Sequence, residues 1–337
     1  MLRISSLWLD TINLISKFNI YRTVNYKLNL VSYLLSVLFK KSINISYPIS
    51  LSIEPTSFCN LRCPHCPTGT KALSRPQGYM DYEDFKKLID ETASYLIYLM
   101  LYFQGEPFLH KHMIEMIRYA HRKNIYIMTS TNAQNIDELM AKSIVESRLD
   151  KIIISLDGVT EEVYSSYRIG GDMNKVISAI KYLSKFKKQL KSKTPFIEVQ
   201  FLVLRQNEHQ MEEIKKLSAE LNVDKLSFKK AQIYNVNDNV QFLPQNEKYS
   251  RYARNNDGEY FLKKKTYNHC YKMWSSAVIT WDGQLLPCCY DKDATLNFGN
   301  VRVDKLSNIW KSKAYNTFRN DIFNDRKSID MCKFCGE

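Results

Sequence analysis

Residues 59–66 have the sequence CNLRCPHC, in which three residues separate Cys59 from Cys63 and two separate Cys63 from Cys66. A loop of this length can bring three thiolates to one small metal centre, but it leaves a fourth ligand position open. A structural zinc site would need four ligands, and His65 is poorly placed to reach inward with its cysteine neighbours. The spacing therefore favours an iron-sulfur centre with one open iron.

Predicted strands and helices alternate around this stretch, from residue 49 onwards. β-Branched and apolar runs predict the strands, and apolar residues on one face predict the helices between them. The six predicted strands are Ile49–Ile53, Ile97–Phe103, Ile125–Met128, Lys151–Ile154, Phe196–Val203 and Lys225–Phe228. This alternation predicts an α/β fold in which a parallel sheet with right-handed crossovers curls into a partial (βα)6 TIM-like barrel. The reactive edge of such a barrel lies at the carboxyl ends of its strands.

The predicted barrel, residues 49–235, is flanked by segments of different character. Residues 1–48 contain apolar helical segments with few acids, and their longest apolar run is too short to span a membrane. They predict a helical extension packed on the barrel, or an amphipathic, basic surface that touches a membrane or a partner protein. Residues 236–265 are polar and predict a linker. Residues 266–337 predict a small module, in which Asp282-Gly283 marks a tight hairpin turn and a metal centre replaces a deep core.

Composition excludes several classes of protein. The 337 residues are 45% hydrophobic with only 10 Gly and 9 Pro, which excludes a disordered or collagen-like chain. The eight cysteines lie in a long chain without a visible secretory signal, so we expect reduced, metal-binding cysteines. A formal net charge of +13 is compatible with nucleic acid, an anionic membrane surface or a phosphorylated substrate, and does not choose between them.

The three-cysteine loop after the first of six strand-helix units resembles the radical S-adenosylmethionine (radical SAM) enzymes. The resemblance implies that Cys59, Cys63 and Cys66 hold a 4Fe–4S cluster whose open iron is chelated by S-adenosylmethionine. One electron from the reduced cluster then cleaves the sulfonium to give methionine and a 5′-deoxyadenosyl radical, which abstracts a hydrogen atom from the substrate. A cytoplasmic, low-oxygen location and an electron donor such as flavodoxin or ferredoxin are also implied.

Other motifs of the family have counterparts at the expected places. Residues 104–107, QGEP, resemble the family's Gly-Gly-Glu-Pro, which implies that Glu106, after Gly105, accepts hydrogen bonds from the methionine amino group. Ser155 and Asp157 follow the fourth strand and resemble the ribose motif. Arg168 resembles the arginine that pairs with the methionine carboxylate.

Three further positions are predicted to lie near the cofactor. Asn132 follows the third strand and is expected to face the barrel mouth. His65 occupies the place of an aromatic residue that lies near the adenine in the family. On the fifth strand, which lacks a clear motif, Val203 is the candidate for contact with the adenine.

The remaining cysteines resemble the C-terminal auxiliary-cluster modules called SPASM and, in a shorter form, twitch. Cys270, Cys288, Cys332 and Cys335 are suitably spaced to ligate one auxiliary 4Fe–4S cluster. A zinc ribbon is the alternative for four such cysteines. Cys289 is left over and is expected to point away from the direction of its neighbour Cys288, as a buried thiol, an alternative ligand or a hydrogen-atom donor.

The resemblance implies the initiating chemistry and leaves the outcome open. The leading hypothesis is the oxidation of a sugar or cyclitol alcohol, or the modification of a peptide, with S-adenosylmethionine as cosubstrate. The alternative is a radical epimerase in which Cys289 donates a hydrogen atom. A non-enzyme alternative is a zinc-stabilised protein whose basic surface binds nucleic acid, and this partner is the less favoured.

Overall fold

The computed structural model describes residues 4–233, 236–333 and 335. Residues 234–235, 334 and 336–337, which the predicted barrel and C-terminal module include, and residues 1–3 of the predicted extension lie outside the described residues. The helices are α1 (Ile4–Ile15), α2 (Ile20–Phe39), α3 (Tyr82–Thr92), α4 (Met113–Arg122), α5 (Glu138–Glu146), α6 (Glu161–Tyr167), α7 (Met173–Gln189), α8 (Met211–Glu220), α9 (Lys272–Ser275), α10 (Leu306–Trp310), α11 (Lys313–Asp325) and α12 (Asp330–Lys333). The strands are β1 (Ser50–Ile53), β2 (Tyr98–Met100), β3 (Tyr126–Thr131), β4 (Lys151–Ser155), β5 (Phe196–Val203), β6 (Lys225–Lys230), β7 (Tyr252–Arg254), β8 (Tyr260–Leu262), β9 (Ser276–Ile279) and β10 (Leu285–Leu286).

One eight-stranded sheet runs in the order β10-β9-β1-β2-β3-β4-β5-β6. The neighbours from β1 to β6 pair in parallel. Helices connect these strands, as a parallel sheet requires of its crossovers. The partial (βα)6 barrel predicted from the sequence is confirmed.

The two faces of the sheet bury different residues, because successive side chains of a strand point to opposite faces. Alternate residues such as Leu51, Ile127 and Val199 pack with the surrounding helices in the main core. A second cluster holds the intervening residues Tyr126, Met128 and Ile153, with Tyr98, Met100 and Tyr102 packed against it. This second cluster is the inner face of the barrel.

The hairpin of the C-terminal module is part of the barrel sheet, whereas the sequence predicts a separate module in residues 266–337. Strand β9 pairs in parallel with β1, from Ser50 opposite Ser276 to Ile53 opposite Ile279. Strand β10 then pairs antiparallel with β9. Without β9, the backbone of β1 would form an open sheet edge, and this pairing satisfies its hydrogen bonds.

Residues 236–265 are more ordered than the predicted linker. They contain the antiparallel pair β7 and β8. Leu243 and Tyr252 are buried against Leu61 and Cys63, and the Tyr252 hydroxyl hydrogen-bonds the backbone of Ile233. The segment therefore packs on the cysteine loop, which the scarcity of apolar residues in its sequence does not indicate.

The first two helices cover the amino-terminal end of the barrel. Asp10 of α1 accepts a 2.5 Å hydrogen bond from the hydroxyl of Tyr126, the first residue of β3. Lys17, after α1, forms a buried 3.0 Å ion pair with Asp150, just before β4. Among the described residues, no helix is long and apolar enough to cross a membrane.

Candidate active site

The three cysteines of residues 59–66 lie just beyond the carboxyl end of β1, in a tightly folded loop. The Cys66 amide donates to the Cys63 carbonyl at 3.1 Å, and the Arg62 amide donates to the Ile169 carbonyl at 2.9 Å. Gly69 permits this packing, because a Cβ there would lie 2.6 Å from the Cys63 amide nitrogen. Burial raises the pKa of Cys59 to about 11. Metal binding at this thiol therefore has to displace a proton.

The carboxyl end of β2 reaches the same loop through Gly105. Its φ of +75° and a Cβ position 2.4 Å from the Thr56 carbonyl oxygen leave room only for glycine. Gln104, which stands where the family motif has its first glycine, is buried and accepts a 3.1 Å hydrogen bond from Thr68. Of the two glycines in the family motif, this sequence keeps the second, Gly105, and this is the residue with the left-handed backbone conformation.

Glu106 and Asn132 are brought together beside Cys59. One oxygen of the buried Glu106 carboxylate accepts from the Thr131 hydroxyl at 2.6 Å, and the other accepts from the Asn132 amide at 2.7 Å. The Asn132 side-chain nitrogen is 3.9 Å from Cys59 Sγ and 2.8 Å from Asn60 Oδ1. Burial raises the pKa of Glu106, although these hydrogen bonds oppose the shift.

Arg168 lies between a carboxylate and a cysteine of the loop. Its Nε is 2.6 Å from Asp157 Oδ2, and its Nη1 is 3.8 Å from Cys63 Sγ. The other oxygen of Asp157 accepts from the Leu202 amide at 2.7 Å. Burial disfavours the charged guanidinium, but Asp157 and Cys63 keep the pKa of Arg168 above its ordinary value. One oxygen of Asp157 thus orients Arg168, and the contact of Asp157 with ribose stays a prediction.

Ser155 and His65 present groups that the described residues leave unused. Ser155 ends β4 on the inner face, two residues after Ile153, and its hydroxyl has no hydrogen-bond partner within the described residues. The His65 ring packs edge-on against Phe242 at 4.0 Å between centroids. Its buried Nε2 has no partner in the described part of the chain, and burial lowers the pKa of this ring. Phe242 was not predicted, because it lies in the segment interpreted as a linker.

The candidate on the fifth strand is wrong. Val203 is fully buried in the core beneath the helices, and not on the inner face. Leu202 packs against the cluster that contains Cys63, so it is the residue of this strand that faces the site. The alternation of Val199, Phe201 and Val203 in one core would have indicated this from the sequence.

The four cysteines of the C-terminal module are also brought together. Cys270, Cys288, Cys332 and Cys335 line one cavity of about 330 Å³. Arg326 donates from Nη2 to Cys335 Sγ at 3.2 Å. In the described part of the chain, no three His, Cys, Asp or Glu side chains lie close enough to hold a single metal ion. The thiols thus surround a space, and thiol donors with a hydrogen-bonded sulfur are a chemically suitable set for an iron-sulfur cluster.

Cys289 does not point away from Cys288 as expected. The two thiols are hydrogen-bonded, and this bond together with burial raises the pKa of Cys288. Cys289 is exposed. Burial raises the pKa of Tyr102, an inner-face residue, to about 12, and Cys289 adds to the shift. The Cys289 thiol therefore lies close enough to Tyr102 to affect the pKa of its hydroxyl.

A buried ion pair that the sequence analysis missed connects the cysteine loop to the C-terminal hairpin. Arg75 binds both carboxylate oxygens of Glu54, with contacts of 2.8 and 2.5 Å. The Trp281 amide donates to the same carboxylate at 3.2 Å, and Arg75 Nε donates to the Lys292 carbonyl at 2.7 Å. Glu54 continues β1 and Trp281 follows β9, so the pair extends the contact between these strands.

Comparisons with known proteins agree with this geometry. Residues 53–218 match the radical SAM superfamily, and residues 270–336 match SPASM, an iron-sulfur cluster-binding domain. The chain is 28% identical over 298 residues to the tungsten-containing aldehyde ferredoxin oxidoreductase cofactor-modifying protein of Pyrococcus furiosus, covering 80% of this chain and 82% of that protein. It is 24% identical over 296 residues to the PqqA peptide cyclase of Gluconobacter oxydans, covering 81% and 80% of the two chains.

A solved structure shows the same fold. Streptococcus suis SuiB bound to S-adenosylmethionine superposes with a TM-score of 0.63 at 15% identity, over 91% of this chain and 76% of that one. SuiB has also been solved with its precursor peptide SuiA, with a TM-score of 0.62 at 16% identity over 86% and 70% of the chains. The chain therefore belongs to the radical SAM superfamily and carries a C-terminal SPASM domain, with a 4Fe–4S cluster, S-adenosylmethionine and an auxiliary cluster as its cofactors.

Proposed function

We propose that this enzyme is a radical SAM oxidoreductase that removes two electrons from its substrate, for which a peptide is the first candidate and a sugar or cyclitol alcohol the second. The observation that carries the proposal is the cavity lined by Cys270, Cys288, Cys332 and Cys335. The hairpin that precedes Cys288 pairs with β1, the strand that leads to the radical SAM loop. A peptide is favoured because one relative is a PqqA peptide cyclase, and SuiB binds a precursor peptide.

The loop cysteines Cys59, Cys63 and Cys66 would hold the cluster that binds S-adenosylmethionine. When both are bound, they supply reductive cleavage of the sulfonium and removal of a hydrogen atom from the substrate. Reduced flavodoxin or ferredoxin is the proposed electron donor, and the cytoplasm is the proposed location because exposed reduced clusters are destroyed by oxygen.

The chain's own residues orient the cofactor at the barrel mouth. Arg168, held by Asp157 beside Cys63, would bind the methionine carboxylate through charge-assisted hydrogen bonds. Glu106 would accept from the methionine amino group at the oxygen that, among the described residues, receives only the Asn132 amide.

Two more contacts would hold the nucleoside. The Ser155 hydroxyl on the inner face would bind the ribose. The flat ring of His65 would lie near the adenine, where its unpartnered Nε2 offers a hydrogen bond.

The C-terminal cysteines would hold the auxiliary cluster, which supplies an acceptor for the second electron. Arg326 would stabilise the ligand Cys335 through its hydrogen bond. With both groups bound, the oxidation would balance, because the substrate would give up one hydrogen atom, one further electron and one proton, and the group held by the C-terminal cysteines would take up that electron.

Isotope transfer tests the proposal. Anaerobically purified, reconstituted and reduced enzyme would be incubated with S-adenosylmethionine and candidate peptides or cyclitols deuterated on carbon. We expect deuterium in 5′-deoxyadenosine and a product that has lost the transferred deuterium and one further hydrogen. Absence of deuterium transfer with every candidate would count against hydrogen abstraction, and a product in which hydrogen merely replaces the deuterium would count against net oxidation.

A radical epimerase is the second candidate, because Cys289 is exposed and lies within electrostatic range of the inner-face residue Tyr102. In this case the Cys289 thiol would return a hydrogen atom to the substrate, and the product would have the mass of the substrate. Cys289→Ala would then abolish the product while deuterium transfer persists. Normal product formation by this variant would exclude the epimerase.

A further inference from the structure

Helix α2 turns its polar side chains towards the protein. Its buried residues are Arg22, Asn25, Asn29, Ser32 and Ser36, spaced three and four residues apart along one face. A surface helix of a water-soluble domain normally buries its apolar stripe and exposes its polar one. The orientation of α2 is the reverse.

Specific hydrogen bonds fix this orientation. The Arg22 guanidinium donates at 2.8 Å to the carbonyl of Ala93, at the end of α3, and at 2.8 Å to that of Lys123, at the end of α4. It thus satisfies carbonyls that the ends of these two helices leave open. Asn25 donates to the Tyr47 carbonyl at 3.1 Å and accepts from the Tyr47 amide at 2.9 Å. Rolling the helix to bury its apolar side would break all of these bonds.

The outward faces of α1 and α2 are consequently apolar. Most of the exposed large hydrophobic side chains in the described residues lie on these two helices or next to them. They are Leu7, Trp8, Leu9, Ile12, Ile15, Ile20, Tyr21, Val24, Tyr26, Leu28, Leu30, Val31, Leu34, Leu38, Phe39 and Ile45. A concentration of exposed apolar side chains of this kind marks an interaction site, and its Trp and Tyr are the residues enriched at membrane interfaces.

The charges beside this surface have one sign. Asp10 is the only acidic residue among the first 49, and its carboxylate is bound by the Tyr126 hydroxyl. Lys27, Lys40 and Lys41 are exposed. A second copy of the same surface would bring the same positive charge, whereas anionic headgroups would neutralise it.

We propose that the outward faces of α1 and α2 bind the surface of a bilayer that contains anionic phospholipid. The helices would lie in the interface with the apolar side chains among the acyl chains and the lysines at the headgroups. This binding is independent of the proposed reaction. The barrel would rest on its amino-terminal end, so that the carboxyl ends of its strands face away from the lipid.

Flotation with vesicles tests the proposal on the full chain. Wild-type enzyme, reconstituted under anaerobic conditions, would be mixed with vesicles of phosphatidylcholine alone or of equal parts phosphatidylcholine and phosphatidylglycerol. We expect it to float with the mixed vesicles. The Leu34→Ser/Leu38→Ser variant should bind at least tenfold more weakly, since both leucines are more than half exposed on α2, at 55% and 72%.

A matched pair of leucines elsewhere controls for the loss of surface hydrophobicity. The variant Leu139→Ser/Leu190→Ser changes side chains that are 77% and 44% exposed, on α5 and directly after α7, and it should float like the wild type. Lys40→Gln/Lys41→Gln should reduce binding to the anionic vesicles roughly tenfold or more. Iron content and circular dichroism should be unchanged in every variant.

Two results would overturn the proposal. The first is failure of the wild type to float with either kind of vesicle. If the wild type also elutes as an oligomer that Leu34→Ser/Leu38→Ser converts to a monomer, the surface joins copies of the chain. The second is equal flotation of Leu34→Ser/Leu38→Ser and Leu139→Ser/Leu190→Ser.

Discussion

Gly105 determines how β2 meets the cysteine loop, since its φ of +75° and the carbonyl 2.4 Å from its Cβ position exclude a side chain. Gly105→Ala should lose most of the iron bound at the loop. Gly170→Ala is the matched control, because Gly170 has a φ of +86° but its Cβ position is 3.8 Å from the nearest atom outside its chain neighbours, the Asn60 carbonyl oxygen. Iron analysis after reconstitution checks this prediction. Equal iron loss in both variants would mean that the positive φ, and not the close approach of the Thr56 carbonyl, requires a glycine.

Asp157 affects the cofactor through Arg168. Asp157→Asn removes the charge that orients the guanidinium, and hydrogen bonds to charged groups contribute about 1.5–3 kcal/mol. We expect S-adenosylmethionine to bind roughly ten- to a hundredfold more weakly, as measured by titration calorimetry. Asp304→Asn, at an exposed aspartate, is the control. Unchanged binding by Asp157→Asn would mean that Arg168 needs no partner.

Buried ion pairs stabilise the contact between elements, and Glu54 with Arg75 is the main example. Arg75→Met leaves the fully buried Glu54 carboxylate without its partner, which should cost about 3–5 kcal/mol of unfolding free energy. Lys86→Met, at the surface pair with Glu83, should cost much less, because water screens this pair. Denaturant unfolding measures both. Adding Glu54→Gln to Arg75→Met should recover part of the loss, and failure to do so would show that the carboxylate is not the source of the cost.

His110 connects the end of β2 to the segment before α3 and makes this connection sensitive to pH. Its ring hydrogen-bonds the Met80 carbonyl at 2.8 Å and accepts from the His112 amide at 3.1 Å. Burial lowers the pKa of His110 below its ordinary 6.5. As the pH falls, the unfolded chain therefore takes up the proton before the folded protein does. The contribution of His110 to stability is fully present above pH 6.5 and is lost as the pH falls through the lowered pKa, by at most about 1.4 kcal/mol per pH unit.

Thermal unfolding between pH 8 and pH 5, about 1.5 units either side of this value, checks this dependence. His110→Gln cannot titrate and should show a shallower decline than the wild type. His209→Gln, at an exposed histidine, should follow the wild type. Parallel curves for all three proteins would contradict the prediction.

Local sequence patterns predicted the elements better than their contacts. All six barrel strands and the loop cysteines were predicted, because periodicity and ligand spacing are local signals. The pairing of β9 with β1 was not, since nothing in either strand specifies a partner more than 200 residues away. The contact of Phe242 with His65 was missed because it also joins distant segments. The bond between Cys288 and Cys289 was missed because it depends on side-chain orientation, which residue type alone does not determine.

At the scale of the whole molecule, the two groups of cysteines should be separable by mutation. Cys332→Ser/Cys335→Ser should hold about four irons per chain, against about eight in the wild type, and should still cleave S-adenosylmethionine without yielding oxidised product. Cys289→Ser is the control and should keep about eight irons. Iron and zinc analysis with an assay for 5′-deoxyadenosine checks this. Stoichiometric zinc in the wild type would instead support the zinc ribbon.

The pairing of β1 with β9 has a consequence for electron transfer. The radical SAM loop follows β1, and the C-terminal hairpin that leads to Cys288 begins with β9, so hydrogen-bonded neighbours position the loop cysteines and Cys288. Tunnelling rates fall exponentially with distance, and a rigid sheet holds that distance constant where a flexible linker would let it vary. The sheet would thus fix the distance from the loop cysteines to Cys288, and this distance would not depend on which substrate occupies the mouth of the barrel.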